Sequence, residues 1–397
     1  MDGRASTGEV LFLSHLTTLS DDNVLSFYRS AFVVPFVADV LRREWDDPSV
    51  RRDALKFYRR VIDLVGDVQR IGFTDVDEAK YNVICDETIL VMLSPDTPPS
   101  TLELGLYILM KSWHHARPNF YDAIRVAMAN DDVTSALKSD AVDEMYRNVT
   151  YGGGFALALK IVHAGLLPEI VKLFPQYPDT CVLALYTIAN ADTTDGSALV
   201  EPVRATGILR RIREFIRNTG SAPNGTERLL NAFAQRGQSR AVVESGCLDA
   251  LLFVTASVRP SDPILQRVVN ICVEVARNGY LDHLRASFTL RQVLAHLASA
   301  GTQEMAAAYR DAARVLGNDL IEQVNGELMP AGRPPETALA GGGRSRARAR
   351  RSRTKMRRSR SQSRSRTKTR RSRSSARSRA RTRRSRSHRP RPRRSRR

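Results

Sequence analysis

Four segments that set a glycine just ahead of an apolar-striped stretch constrain this chain most. They read HAGLLPEIVKLF at Gly165, ATGILRRIREFI at Gly207, ESGCLDALLFVT at Gly246 and RNGYLDHLRASF at Gly279, at intervals of 42, 39 and 33 residues. Polar breaks such as PQYPDT or RPSDP follow, and then a second apolar stretch such as CVLALYTIAN or ILQRVVNICVEVA. Glycine permits a sharp turn between helices, and a unit this small can bury its apolar faces only by stacking on its neighbours. The expected fold is all-α, a helical repeat solenoid with these four glycines at the repeat turns. An irregular helical bundle is the alternative reading of the same pattern.

Helix signals recur upstream. In DDPSVRRDALKFYRRVIDLV, residues Val50, Ala54, Phe57, Val61 and Val65 form one apolar stripe, with Asp47 as N-cap and Pro48 at the first helical position. Asp262 and Pro263 repeat the device ahead of Ile264, Val268, Cys272 and Val275. Such stripes continue to about Val324, with almost no strand-like alternation.

Charge is segregated. The chain has 397 residues, 62 basic and 42 acidic. Residues 344–397 hold 28 of the basic residues (26 Arg, 2 Lys) and none of the acidic ones, which leaves residues 1–343 with 34 basic against 42 acidic, a net −8. An acidic body thus carries a cationic tail. A body of this length exceeds what one compact core usually supports, and a repeat array escapes that limit. The expected organisation is a helical N-terminal region over 1–130, repeats over 131–325, a Pro/Ala/Gly-rich flexible linker over 326–343 and a disordered tail over 344–397.

The tail has no Leu, Ile, Val, Phe, Tyr or Trp, so it cannot bury enough apolar surface to offset the entropy of ordering. Its arginines, among them Arg344, Arg351, Arg357, Arg358, Arg360, Arg364, Arg366, Arg370, Arg371 and Arg373, suit phosphate contacts or an import receptor. Eleven Arg-Ser dipeptides run through it, and Ser352, Ser359, Ser361, Ser363, Ser365, Ser372 and Ser374 are candidate phosphorylation sites. A tail that only gripped nucleic acid would not require serine so regularly.

Two resemblances follow from these residues. The Gly-x-Leu units resemble the armadillo repeat family, well over 163–284, more loosely over 285–325, and in a more HEAT-like form over 24–130, where PFVADVLRREWDDPSVRRDALKFYRRV keeps the two-helix logic without the glycine. That resemblance implies a groove that binds an extended peptide or protein partner. The importin-alpha subgroup lines its groove with Trp and Asn ladders. Here the only tryptophans are Trp45 and Trp113, and CVLALYTIAN has Leu183 and Thr187 at the expected ladder positions, which argues against a cargo receptor of that kind. The tail resembles the arginine/serine domains of splicing-related proteins. The body has no aromatic segment of the RNA-recognition-motif type.

No catalytic or cofactor chemistry emerges. His114 and His115 are adjacent, so on a helix they point about 100° apart and chelate poorly. Gly152, Gly153 and Gly154 lack the Gly-Lys-Ser/Thr ending of a phosphate loop and read as a hinge. Cys85, Cys181, Cys247 and Cys272 are dispersed, as buried thiols in a reducing compartment would be. The first residues lack the basic and apolar stretches of a secretory signal, and no apolar run is long enough to cross a membrane. The expectation is a nuclear, non-enzymatic adaptor with no cofactor, no metal, no membrane contact and no small-molecule substrate. Its partners would be a protein in the groove, and RNA or DNA phosphates and nuclear import receptors on the tail. A nucleic-acid binding or condensing protein acting through the protamine-like tail is the alternative.

Overall fold

The computed structural model describes residues 4–68, 75–111, 117–191, 198–259, 262–299, 302–317 and 324. They belong to a compact unit spanning residues 1–329. Residues 330–397 form a separate unit and lie outside the described residues. Among the described residues there is no strand.

The chain opens with α1 (Thr7–Leu16) and α2 (Asp21–Arg29). Three helix pairs follow: α3 (Val33–Arg43) with α4 (Pro48–Val68), α5 (Asp75–Leu93) with α6 (Pro99–Lys111), and α7 (Phe120–Ala129) with α8 (Ser135–Asn148). Residue 130 falls in the turn between α7 and α8. After α8 the unit changes to three helices, with the first helix short in the last three units and the middle helix short in the first. These units are α9 (Gly154–His163), α10 (Leu167–Lys172) and α11 (Pro178–Asn190); α12 (Val200–Ala205), α13 (Ile208–Thr219) and α14 (Thr226–Gln235); α15 (Ser239–Glu244), α16 (Cys247–Thr255) and α17 (Pro263–Val275); and α18 (Leu281–Arg285), α19 (Phe288–Ser299) and α20 (Gln303–Leu316).

Two layers result. In one, α4, α6, α8, α11, α14, α17 and α20 pack each on the next. In the other, α3 packs on α5, α5 on α7 and α7 on α10, and further along α13 packs on α16 and α16 on α19. Phe174, just after α10, meets Phe215 of α13 edge to face with centroids 5.8 Å apart, which joins those two stretches. The described residues form an all-α helical repeat stack, with two-helix pairs in the manner of HEAT repeats followed by three-helix units in the manner of armadillo repeats.

The sequence stripes account for the burial. Val50, Ala54, Phe57, Val61 and Val65 all lie in the core of α4, and Asp47 accepts the Ser49 N–H at 2.8 Å at its start. Asp262 likewise accepts from Ile264 N–H at 3.0 Å, and α17 buries Leu265, Val268, Val269, Ile271, Cys272, Val273 and Val275. Each such apolar side chain contributes about 1.5–3 kcal/mol of transfer free energy. Much of this packing lies between neighbouring units, as where α17 meets α14 and α20.

Candidate functional site

The layer that runs from α4 to α20 defines the candidate surface. Helices α11, α14 and α17 each have a like helix on both flanks and their own unit's other helices behind, so one stripe of each remains free. The free positions recur at helical spacing: Leu183, Tyr186 and Asn190 on α11; Arg228, Asn231 and Gln235 on α14; Arg267, Asn270 and Glu274 on α17. On α20, Ala307, Arg310 and Arg314 are exposed at the same spacing, and on α8 Asp140, Asp143 and Arg147 continue the row in the other direction.

Polar ties run from helix to helix beside these stripes. Arg236 donates to Asn190 Oδ1 at 3.5 Å and to its backbone carbonyl at 3.4 Å. Arg267 Nε lies 3.1 Å from Glu227 Oε1, Arg277 reaches Asp311 at 3.6 Å, and Asn278 donates to Ala234 O and Ser239 Oγ, both at 2.9 Å. Several of these groups are exposed, and such pairs contribute little to stability in water. Their effect is to fix the rotamers of a polar face. The Asn231 Oδ1 atom is buried with no hydrogen-bond partner among the described residues.

Sequence reasoning singled out Leu183 and Thr187 of α11 and did not single out the free stripe. Leu183 stands on it and Thr187 is half-buried beside it, while Tyr186 and Asn190 present the polar atoms. The stripe positions are periodic but chemically varied, so no motif marks them. What marks them in the sequence is polar residues three and four apart inside an otherwise apolar helix, as with Arg228, Asn231 and Gln235.

The glycines fall at two kinds of junction. Gly165, Gly207 and Gly246 take left-handed φ of 72°, 73° and 66° between the first and second helices of their units. Gly279 differs from the expected register. Its φ is 93°, and it lies in a π-helical turn (Ala276–Tyr280) between the third helix of one unit and the first helix of the next. Its counterpart is Gly237, between α14 and α15, which is also left-handed at φ 75° and lies 42 residues earlier. The short 33-residue interval came from matching unlike junctions, whereas the first-to-second turn of the last unit runs through Ala286 and Ser287 without glycine. A second π-helical turn, Val149–Gly153, joins α8 to α9. Gly154, which follows it, takes φ 47° and ψ −132°, and Tyr151 stands 83% exposed there.

Burial pushes the Cys181, Cys247 and Cys272 thiols up to about 12, so these groups stay protonated and unreactive in the fold. His114 and His115 lie outside the described residues, as do the linker and every tail position, from Arg344 through Arg351, Arg360 and Arg373 and the serines Ser352 to Ser374.

No family model matches the sequence, and no curated protein matches it either. Among solved structures the chain is similar to a designed armadillo repeat protein, at 18% identity and a TM-score of 0.45, over 58% of this chain and 99% of that one. It is also similar, at 11% identity and a TM-score of 0.13, to a chain from the computational design of self-assembling cyclic homooligomers, over 80% of this chain and 98% of that one. At these TM-scores the likeness carries no weight, and the repeat assignment stands on the chain's own helices and their packing.

Proposed function

We propose that this chain is a nuclear protein-binding adaptor. The free face of the α11–α14–α17–α20 layer docks a protein partner, and the Arg/Ser tail supplies nuclear import, association with RNA and control by phosphorylation. The observation that carries the docking reading is the row of free polar stripes on successive stacked helices, braced by ties such as Arg267 to Glu227. A face of that kind offers a ligand many contacts in a fixed array, which is how solenoids recognise extended segments.

The tail supports the rest by its chemistry. Arginine forks bind phosphate oxygens in a sequence-blind, salt-sensitive way. Phosphorylating its 13 serines would add roughly −20 to −26 of charge and nearly cancel its +28. The phosphorylated tail would release nucleic acid without any change in the body.

The test is quantitative interaction proteomics in cells with three chains: full length, a Tyr186→Ala/Asn231→Ala variant, and a chain ending at Gly343. The proposal expects the variant to lose a defined set of protein partners while keeping RNA crosslinking, and the truncated chain to lose nuclear accumulation and RNA crosslinking while keeping those partners. Identical partner sets for variant and full length would refute the docking role. The 28 tail cations favour one further reading, a nucleic-acid condensing protein. In that case residues 344–397 alone would condense DNA as well as the full chain does.

A further inference from the structure

The free stripes change chemistry along the layer. On α8 they offer Asp140, Asp143 and Arg147, on α11 half-buried Leu183 and Tyr186, and on α14, α17 and α20 exposed Arg228, Arg267, Arg310 and Arg314. The surrounding sequence follows the same gradient. Residues 75–148 contain 13 acidic and 6 basic residues, whereas residues 198–317 contain 10 acidic and 15 basic, all of them arginine. Among the described residues, Arg228 and Arg314 have neither a hydrogen bond nor an ion pair. Arg310 donates only its Nε, to Ala306 O at 3.2 Å.

We propose that this face takes an extended acidic peptide, its carboxylates on Arg228, Arg267, Arg310 and Arg314 and its apolar residues on Leu183 and Tyr186. The proposal rests on the docking reading above and adds the chemistry of the partner. Guanidinium forks match carboxylates in two-point geometry, so arginine rather than lysine is the side chain expected on such a face. Stacked helices lie about 8–10 Å apart and an extended chain advances about 3.3–3.6 Å per residue. A segment crossing the layer therefore meets a new helix about every third residue, and the complementary pattern is Asp or Glu at every third position. Glu227, Glu274 and Asp311 stand among the arginines. A surface of mixed sign suits a peptide with spaced charges better than a strand carrying a phosphate at every nucleotide.

The experiment is photo-crosslinking of the full chain, read by mass spectrometry so that label on the body and on the tail is counted separately. The probes are a 15-residue peptide with Glu at every third position and Leu and Tyr at one end, the same peptide with Gln or with Lys in place of Glu, and a 4-thiouridine oligonucleotide. The Glu peptide is expected to label α14, α17 and α20. An Arg228→Glu/Arg314→Glu variant should lose at least tenfold of that label while its tail label stays constant, and an Arg211→Glu/Arg217→Glu variant on α13 should keep it. Both arginines of the first variant are exposed, so its melting curve reports whether the fold is intact. Label confined to residues 344–397, or body label that ignores the charge reversal, would overturn the proposal. So would stronger labelling of these helices by the oligonucleotide. If the Gln or Lys peptide labels the stripes instead, the acidic class is wrong and the docking reading survives. If no peptide labels them, both fall.

Discussion

Arg51 and Asp96 meet across 45 residues of sequence through two hydrogen bonds, Nη1 to Oδ1 at 2.9 Å and Nη2 to Oδ2 at 2.6 Å. The Arg51 side chain is 1% exposed and that of Asp96 61%. Ser94 also accepts from Arg51, at 3.0 Å, so the first turn of α4 is tied to the turn between α5 and α6. Both Nη groups of this buried guanidinium are thereby satisfied, while its Nε is buried with no hydrogen-bond partner among the described residues.

Arg51→Ala removes these bonds and the packing of the side-chain stem, and is expected to cost about 2–3 kcal/mol in chemical denaturation. Arg51→Met keeps the packing and should cost less than half as much. Equal losses in the two variants would show that the ion pair outweighs the packing.

Hydrogen bonds from Arg51, and then from Ser94, hold the Asp96 carboxyl well below the usual carboxylate range. A depressed folded-state pKa gives a contribution that is complete above the unfolded value, near 4, and fades as pH falls through the folded value. The stability difference between wild type and Asp96→Asn should therefore be constant from pH 5 to 8 and shrink below about pH 4. A difference that grows on acidification would contradict this.

Glu87 behaves in the opposite sense. Its side chain is 1% exposed, and it accepts from Arg42, which is 65% exposed, while its other oxygen has no partner among the described residues. Burial raises its pKa, opposed by Arg42. A raised carboxyl pKa means that the folded state holds the proton more tightly, so stability from this group is present below about pH 4 and lost as pH rises through the folded value. Glu87→Gln is expected to gain about 1 kcal/mol at pH 7. Melting curves taken as pH falls from 7 toward about 4 should show that gain narrowing.

Gly207 and Gly246 share a left-handed backbone but not their surroundings. A Cβ at Gly207 meets nothing within 4 Å, whereas one at Gly246 would lie 3.2 Å from Arg213 Cδ. Arg213 donates to Ser245 O at 3.1 Å, so it cannot retreat without losing that bond. Gly207→Ala should cost about 1–2 kcal/mol from backbone strain alone, and Gly246→Ala should cost measurably more. Equal costs in urea denaturation would mean that Arg213 yields freely.

Much of the fold was legible because burial here follows helical periodicity: the stripe from Val50 to Val65 and the Asp262–Pro263 start could be read directly. Helix α5 was harder, since Tyr81, Ile84, Cys85, Glu87, Thr88, Ile89, Val91 and Met92 are buried around most of its circumference and leave little polar contrast. Gly279 misled because two kinds of helix junction both require φ above zero, and sequence alone does not separate them. The Arg51–Asp96 tie was invisible because its partners are distant in sequence and an arginine ordinarily signals surface. The Asn and Arg stripe was legible only once the flanking helices were known, since a polar residue between two apolar ones is equally at home on any exposed face.

The most direct test of the account is RNA binding measured against salt for the full chain and for a chain ending at Gly343. The account predicts steep salt dependence for the full chain, with a log–log slope of about −7 if the tail meets about ten phosphates of a single strand. The truncated chain should show no measurable affinity while its protein partners are retained. Undiminished RNA affinity in the truncated chain, with a shallow salt slope, would contradict it and assign nucleic-acid binding to the helical body.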